Sequence, residues 1–282
     1  MPFGRPWQGM THRQAIIVGG TAGYGEVSPL PGFPCDPVLS LRSAREAAHD
    51  GWPSPVRDRV PVNAVIAAVS PGEAATLALE AVGQGIGCLK VKVGDADDLG
   101  RVSEIRNAVG PTVRIRVDAN GVWDLETARQ RLRALSRYDI ELAEQPVASL
   151  DDLARLRRLV DMPLAADEAV RSLDDARRLA RLGAADILVV KVQPVGGVRA
   201  ALAIVDAAGV PAIVTSMLET SVGLAAGLAL AAALPELPFA CGLATAILLA
   251  GDVTEEPLVP SDGMIAVRPV VPSEELMERY AY

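Results

Sequence analysis

The chain has 282 residues, of which 50% are hydrophobic, and this is enough to fold around one large globular core. Its formal net charge of −8 argues against a nucleic-acid partner or an anionic membrane surface, because both require clustered Lys and Arg side chains. The cysteines Cys35, Cys88 and Cys241 are odd in number and far apart, which argues against a disulfide framework or a zinc site and favours a cytoplasmic location.

The first 60 residues contain no regular repeat and are interrupted by Pro and Gly. Their pattern predicts one strand at residues 14–18 and one helix at residues 39–49. The first 13 residues lack the apolar core of a signal peptide. The apolar stretch at residues 220–234 is too short to span a bilayer and is predicted to be a packed helix.

Short apolar runs alternate with amphipathic segments from residue 60 onward. The predicted strands are residues 62–69, 88–93, 113–118, 139–144, 163–167, 186–192, 211–215 and 238–242. Residues 125–138 and 173–182 show the apolar spacing of helices that pack one face inward. Eight such units predict an α/β fold, a closed (β/α)8 TIM barrel, in preference to an open doubly wound sheet.

The predicted domain division places the barrel at residues 61–261. Residues 1–60 are expected to form a small α+β capping domain. The tail at residues 262–282, with a predicted helix at 273–280, is expected to pack on that cap.

Polar residues recur at the ends of successive predicted strands. They are Lys92, Asp118, Glu144, Asp167, Lys191 and Ser216, separated by 26, 26, 23, 24 and 25 residues. Catalytic groups of such barrels lie at the carboxyl ends of the strands, so these side chains are expected to converge on one pocket. The only histidines, His12 and His49, precede the repeat, which excludes a Ser/His/Asp triad or a His-ligated metal within the barrel.

Three of these residues are carboxylates: Asp118, Glu144 and Asp167. A single Asp after a strand is more often a helix N-cap, but three at consecutive strand ends favour a shared role. Converging carboxylates repel one another, and a hard divalent cation relieves that repulsion. We therefore predict that this oxygen-ligand set binds Mg²⁺.

Lys90 and Lys92 share one face of the second predicted strand. A Lys-x-Lys pair is usually solvated, but here it interrupts a buried strand, where unpaired ammonium groups are costly. Adjacent ammonium groups lower each other's pKa, which helps one of them act as a base. Lys191 is expected to lie nearly opposite Lys92. The alternative interpretation of Lys191 is a lysine at a strand end that reaches solvent. Lys92 and Lys191 are thus the predicted catalytic residues.

The expected substrate contacts are Lys90, Arg116, Asn120, Ser216 and Gly242. Arg116 could bind a substrate carboxylate, although a structural salt bridge is a strong alternative for it. Ser216 begins a segment that leads to a helix N-terminus, where backbone N–H groups suit a carboxylate. Ser221 could be the cap of that helix.

These motifs resemble the enolase superfamily, for which a Lys or His base working with Mg²⁺ is known. The order Lys90-x-Lys92, Asp118, Glu144, Asp167 and Lys191 is similar to its lysine-based, muconate-cycloisomerase-like branch. Nine motifs are most similar to the o-succinylbenzoate synthase family: GYGEVSP (23–29), PVNAVI (61–66), KVKVG (90–94), RVDANGVWD (116–124), AEQPV (143–147), DE (167–168), KVQPVGGV (191–198), TSMLETSVGLAAGLALAAALP (215–235) and CGLATAILLAGDV (241–253).

The resemblance implies syn dehydration of a succinyl-bearing cyclohexadiene carboxylate to o-succinylbenzoate, for menaquinone biosynthesis. Lys92 would remove the proton and return it to the departing hydroxyl, Lys90 would depress the pKa of Lys92, and Lys191 would stabilise the anion from the opposite side. Mg²⁺ on the three carboxylates would stabilise the enediolate.

Three alternatives remain open at this point. Two opposed lysines also suit racemisation or epimerisation of N-acylated amino acids or dipeptides, and the same ligands suit muconate cycloisomerisation. A non-catalytic barrel that binds a metal or a carboxylate is the third. Residues 242–245, Gly-Leu-Ala-Thr, lack the Asp-x-Asp that dipeptide epimerases tend to carry there. The expected partner is a small carboxylate substrate, and barrels of this type often form homo-oligomers.

Overall fold

The structure is a computed structural model that describes residues 1–7 and 9–281. Its N-terminal part contains two antiparallel hairpins. The strands are β1 (Pro2–Trp7), β2 (Met10–His12), β3 (Ile16–Gly19) and β4 (Tyr24–Val27). Helix α1 (Pro37–Arg45) follows, capped by the Asp36 carboxylate, and a π-helical turn (Glu46–Asp50) extends it. The predicted strand at 14–18 and helix at 39–49 therefore exist with shifted ends, and the strands β1, β2 and β4 were not predicted.

Seven parallel strands form the central sheet. They are β6 (Ala64–Ile66), β7 (Cys88–Lys92), β8 (Arg114–Asp118), β9 (Ile140–Glu144), β10 (Leu164–Ala166), β11 (Ile187–Lys191) and β12 (Ala212–Thr215), and they neighbour one another in chain order. The connecting helices are α2 (Pro71–Gly83), α3 (Asp98–Val109), α4 (Leu125–Leu135), α5 (Leu150–Leu156), α6 (Leu173–Leu182), α7 (Val192–Val195) and α8 (Val198–Ala208), and α9 (Ser221–Ala233) follows β12. Parallel neighbours joined by helices confirm the predicted α/β barrel class.

The predicted eighth strand at 238–242 is wrong as a strand. Only two of its residues pair, Cys241 with Val62 and Gly242 with Thr215, both as isolated parallel bridges. These bridges join β12 to the segment before β6 and so close the ring. Pro238 has no N–H to donate, and a Cβ at Gly242 would lie 2.5 Å from Thr215 Oγ1, so the chain approaches β12 too closely for ordinary side chains.

Alternation along the strands separates the barrel interior into an apolar and a charged level. The apolar level is formed by Leu142, Ala165, Ile187, Val189 and Ile213, with Phe239 packed against them. Two residues further along the same strands lie Glu144, Asp167, Lys191 and Thr215. Because side chains two apart share a strand face, each strand that packs the core also carries one polar group above it.

Strand register brings the polar groups to one level. Lys92 pairs with Asp118 across β7 and β8, and Asp118 pairs with Glu144 across β8 and β9. Glu144 in turn pairs with Ala165, two residues before Asp167. The carboxyl end of the barrel therefore gathers these side chains as the spacing predicted.

The C-terminal tail returns to the start of the barrel. Strand β13 (Met264–Ala266) pairs antiparallel with β5 (Arg59–Pro61), and α10 (Glu274–Arg279) lies within the predicted helix at 273–280. The Ser273 amide donates to the Val253 carbonyl at 2.8 Å. Over the described ranges, helices long and apolar enough to cross a bilayer are absent.

Candidate active site

A cavity of about 350 Å³ opens at the carboxyl ends of the strands. Barrel residues form its floor and walls, and Trp7 together with residues 30–33 covers it from the N-terminal part. The barrel lining consists of Asn63, Val65, Lys90, Lys92, Asp118, Asn120, Asp167, Glu168, Lys191, Thr215, Ser216, Leu218, Gly242 and Thr245. This volume lies within the range of small-molecule sites, so a single-ring carboxylate can be accommodated.

All three lysines of the chain lie in this cavity: Lys90, Lys92 and Lys191. The remaining 24 of the 27 basic residues are arginines. Strands β7 and β11 are four positions apart in an eight-position ring, which places Lys92 and Lys191 on opposite walls. The composition therefore contained a further signal for these positions, because every lysine of the chain lies at one of them.

Lys90 and Lys92 are ion-paired with the carboxylates of the neighbouring strands. Lys90 Nζ lies 3.1 Å from Asp118 Oδ2 and 2.9 Å from Glu144 Oε1. Lys92 Nζ donates to Asp118 Oδ2 at 2.6 Å and to Asn120 Oδ1 at 2.8 Å. The Lys90 ammonium therefore lies among the carboxylates, and its contacts are with acids rather than with the Lys92 amine.

Lys191 occupies the opposite wall. Its ammonium donates to both carboxylate oxygens of Asp167, at 2.6 Å for Oδ1, and lies 4.5 Å from the centroid of the Phe33 ring. The aromatic face stabilises the cation where little water reaches it. Phe33 was not predicted, because it belongs to a loop with no repeat.

Burial and crowding shift the pKa values of the carboxyl groups in different directions. Burial, together with the charges of Asp118 and Asp167, raises the pKa of Glu144 to about 7. Burial also raises the pKa of Asp167, against the lowering effect of Lys191. Burial opposes ionisation of Asp118 as well, but Lys92 and Lys90 hold its pKa below the usual range. The lysines therefore outweigh the effect of burial on the pKa of Asp118, but not on the pKa values of Glu144 and Asp167.

The predicted ligands Asp118, Glu144 and Asp167 lie at adjacent strand ends but are not arranged as a ligand group. Within the described residues, no cluster of three His, Cys, Asp or Glu side chains is positioned to hold a metal ion. The Lys90 ammonium lies between Asp118 and Glu144 instead, and the Lys191 ammonium contacts Asp167. The donor set nevertheless fits Mg²⁺, because all three donors are carboxylates and because burial, together with the charges of Asp118 and Asp167, raises the pKa of Glu144.

Arg116 lies outside the cavity lining, contrary to its proposed substrate contact. It is buried in the barrel, where Nε lies 2.5 Å from Glu141 Oε2 and Nη1 donates to the Ala240 carbonyl at 2.7 Å. Its guanidinium carbon also lies 5.7 Å from the centroid of Phe239. Arg116 is two residues before Asp118 on β8, so its side chain lies one level deeper in the barrel than that of Asp118. The structural salt bridge with Glu141 therefore accounts for Arg116.

Asn120, Ser216 and Gly242, which were predicted to contact the substrate, all line the cavity. Ser216 Oγ shares a 2.8 Å hydrogen bond with Thr245 Oγ1. Helix α9 begins only at Ser221 and is capped by Thr220, so Ser216 does not lie at a helix N-terminus. Nor is Ser221 the cap: its hydroxyl donates to Asp252 Oδ2 at 2.7 Å.

Sequence reasoning missed Glu168 as a site residue. Glu168 lines the cavity, and its Oε1 accepts a 2.8 Å hydrogen bond from Asn120 Nδ2. Its Oε2 is buried without a hydrogen-bond partner among the described residues. A second carboxylate directly after Asp167, at the same strand end, was the available signal.

A buried polar cluster connects β4 to the loop before α9. Glu26 accepts hydrogen bonds from the Ser28 hydroxyl at 2.6 Å, from the Gly223 amide at 2.9 Å and from the Thr220 hydroxyl. Burial raises the pKa of Glu26 to about 7, against the effect of these donors. The cluster holds the N-terminal part against the loop that carries Leu218, which lines the cavity with φ 61°.

Comparison with known proteins relates this chain to a known superfamily. Residues 73–272 match the family model "Enolase C-terminal domain-like". The chain is 48% identical over 281 residues to o-succinylbenzoate synthase of Thermobifida fusca (strain YX), covering 98% of this chain and 88% of that protein. It is 42% identical over 281 residues to o-succinylbenzoate synthase of Mycobacterium leprae (strain TN), covering 96% of this chain and 82% of that protein.

The fold is shared with a solved, substrate-liganded structure. The L-Ala-D/L-Glu epimerase from Bacillus subtilis superposes with a TM-score of 0.86 at 26% identity, covering 96% of this chain and 94% of that one. The chain therefore belongs to the enolase superfamily and, within it, to the o-succinylbenzoate synthase family.

Proposed function

We propose that the protein dehydrates 2-succinyl-6-hydroxy-2,4-cyclohexadiene-1-carboxylate to o-succinylbenzoate in menaquinone biosynthesis, with Mg²⁺ as cofactor. The observation that carries the proposal is the pair of amines, Lys92 and Lys191, on opposite walls of one cavity with buried carboxylates beside them. The names of the two relatives support the same reaction.

Asp118, Glu144 and Asp167 would hold the magnesium ion. When bound, Mg²⁺ supplies positive charge that makes the carbon next to the substrate carboxylate more acidic. The ion would also offset part of the negative charge of these three carboxylates, which matters in a site where burial raises the cost of an unpaired charge.

Lys92 is the proposed base and acid. Its neutral amine takes the proton from the ring carbon that bears the carboxylate, and the electron pair of that C–H bond is delocalised into the carboxylate. The resulting ammonium then returns the proton to the hydroxyl on the neighbouring carbon as the C–O bond breaks, so water leaves and the ring becomes aromatic. One residue on one face accounts for a syn elimination.

Lys191 remains a cation in this proposal. Its contacts with Asp167 and with the Phe33 ring hold the ammonium on the wall opposite Lys92, where it would stabilise the anion that forms on the substrate. Lys90 is held by Asp118 and Glu144, and these acids, with Asp167, raise its pKa although burial alone would lower it. We infer that Lys90 stays charged and balances the acids.

We also propose that residues 1–60, with the tail at 262–282, act as a cap over the barrel at 61–261. Trp7 and residues 30–33 already line the cavity from that side. A cap that closes over the substrate excludes water and strengthens the electrostatic interactions within.

The decisive experiment is an assay of purified protein with the cyclohexadiene substrate, with and without Mg²⁺. Formation of the aromatic product, followed by its ultraviolet absorbance, is expected only with the metal. Absence of turnover in the presence of Mg²⁺ would reject the proposal.

Epimerisation of an N-acylated amino acid is the second candidate, because two opposed lysines could each serve one enantiomer and the epimerase shares this fold. Incubation in D₂O with N-succinyl amino acids separates the two functions. Deuterium at the α-carbon with inversion would favour the racemase, and its absence alongside dehydration would favour the synthase.

A further inference from the structure

A line of hydrogen bonds runs from Glu168 through Asn120 to Lys92. Asn120 Nδ2 donates to Glu168 Oε1 at 2.8 Å, and Asn120 Oδ1 accepts from Lys92 Nζ at 2.8 Å. A carboxylate only accepts hydrogen bonds, so Glu168 requires the amide nitrogen of Asn120 to face it. The amide oxygen is thereby directed toward the Lys92 amine.

The backbone of Asn120 is held in the conformation that this line requires. Its φ is 47°, in the left-handed region, and its amide donates to Asp118 Oδ1 at 3.0 Å. Asparagine adopts this conformation more readily than most residues, but it persists only where the surroundings hold it. Both ends of the side chain and its own amide are thus engaged within the site.

These contacts set the direction of the lone pair on Lys92. A lysine amine has three tetrahedral positions beyond its carbon. Two are directed to Asp118 Oδ2 and Asn120 Oδ1, at 2.6 and 2.8 Å. The third is left for the lone pair of the neutral amine, and Lys92 lines the cavity in which the substrate would bind.

We propose that Asn120 and Glu168 are positioning residues: Glu168 fixes the orientation of the Asn120 amide, and Asn120 aims the Lys92 amine at the substrate. This inference rests on the proposed role of Lys92 as the base. It replaces the predicted direct contact between Asn120 and substrate, and it assigns a role to Glu168. A positioning defect of this kind slows proton transfer without weakening substrate binding.

A double-mutant cycle tests whether Glu168 acts through Asn120. Asn120→Ala is expected to lower kcat about tenfold or more, and Glu168→Gln several-fold. In both variants KM should stay nearly unchanged. The primary isotope effect, measured with substrate deuterated at the abstracted position, should be larger than in the wild type. In the Asn120→Ala background, Glu168→Gln should add less than about twofold, because contacting residues are not additive. Losses that multiply, or a raised KM with normal kcat, would overturn the proposal.

Exchanging the amide and the carboxylate between positions 120 and 168 gives a matched control. Asn120→Asp alone places two carboxylates against each other and should be slow. Adding Glu168→Gln restores a donor opposite an acceptor, so the double variant should recover at least part of the lost kcat. No recovery would count against the coupling.

A measurement without turnover keeps this inference separate from the proposed function. The chain has only three lysines, so protein made with lysine ¹³C-labelled at Cε gives three methylene signals in its NMR spectrum. The signal that disappears in Lys92→Arg belongs to Lys92. Relaxation should show an ordered Lys92 in the wild type and a more mobile one in Asn120→Ala, with Lys90 and Lys191 unchanged. An equally mobile Lys92 in both proteins would contradict the positioning role, even if the wild type failed to dehydrate the substrate.

Discussion

Lys92 and Asp118 are register partners at the ends of neighbouring strands, and the Lys92 ammonium lies 2.6 Å from Asp118 Oδ2. The proposed base and a proposed metal ligand therefore lie in direct contact without any loop to position them. Because parallel register is set by backbone hydrogen bonds along β7 and β8, the barrel core itself fixes this distance.

Lys92→Ala should lower kcat for dehydration by at least about 100-fold, because it removes the group that transfers the proton. Initial rates at saturating substrate and Mg²⁺ measure the effect. Arg177→Ala, which removes an exposed cation from α6, is the control and should retain full activity. Near-normal turnover of the Lys92→Ala protein would reject Lys92 as the base.

Asp118→Asn should weaken Mg²⁺ binding by at least about tenfold, since loss of outer-shell groups alone costs about 10- to 100-fold. Calorimetric titration without substrate gives the affinity directly. Asp124→Asn is the matched control, because Asp124 is an exposed cap of α4 and Asn caps helices equally well. Chelation should abolish wild-type activity, and added Mg²⁺ should restore it. Equal Mg²⁺ affinities in the two variants would remove Asp118 from the ligand set.

Arg116→Met should destabilise the protein by about 3 kcal/mol, because it leaves Glu141 without its buried partner. Urea unfolding measures the change. Arg114→Met is the control: Arg114 lies 3.8 Å from the same carboxylate but is half exposed, so its loss should cost less than about 0.5 kcal/mol. A normal stability with a raised KM would instead support the substrate contact that was predicted from the sequence.

Glu26→Gln should change how stability depends on pH. Burial raises the Glu26 pKa from its ordinary 4.5 to about 7 in the folded protein. The folded state therefore holds this proton more tightly than the unfolded chain. The resulting stabilisation is fully present below pH 4.5 and is lost as pH rises through 7. The free energy of unfolding of the wild type should fall relative to that of Glu26→Gln by about 3 kcal/mol across this range.

Denaturant unfolding at several pH values tests this relative loss. Glu236→Gln, at an exposed glutamate, should run parallel to the wild type throughout. A constant difference between the wild type and Glu26→Gln would mean that Glu26 titrates alike in the folded and unfolded chains.

The repeat along the chain was sufficient to predict the barrel and the level at which its polar groups meet. Strand alternation and strand spacing are local properties, and they place Lys92, Asp118 and Glu144 on one inward-facing level however the helices pack. The eighth strand was beyond this reasoning. Residues 238–242 look apolar and extended, but the close approach at Gly242 leaves room for only two bridges.

The sequence by itself determined which chemical groups are present and on which face of each strand they lie. Only the tertiary structure decided their partners: Arg116 with Glu141 below the site, Phe33 over Lys191, and Asn120 between Glu168 and Lys92. The reason is physical. Hydrogen bonds and ion pairs depend on distances of a few ångströms between residues far apart in the chain, and the closure of the barrel and the packing of its N-terminal part set those distances.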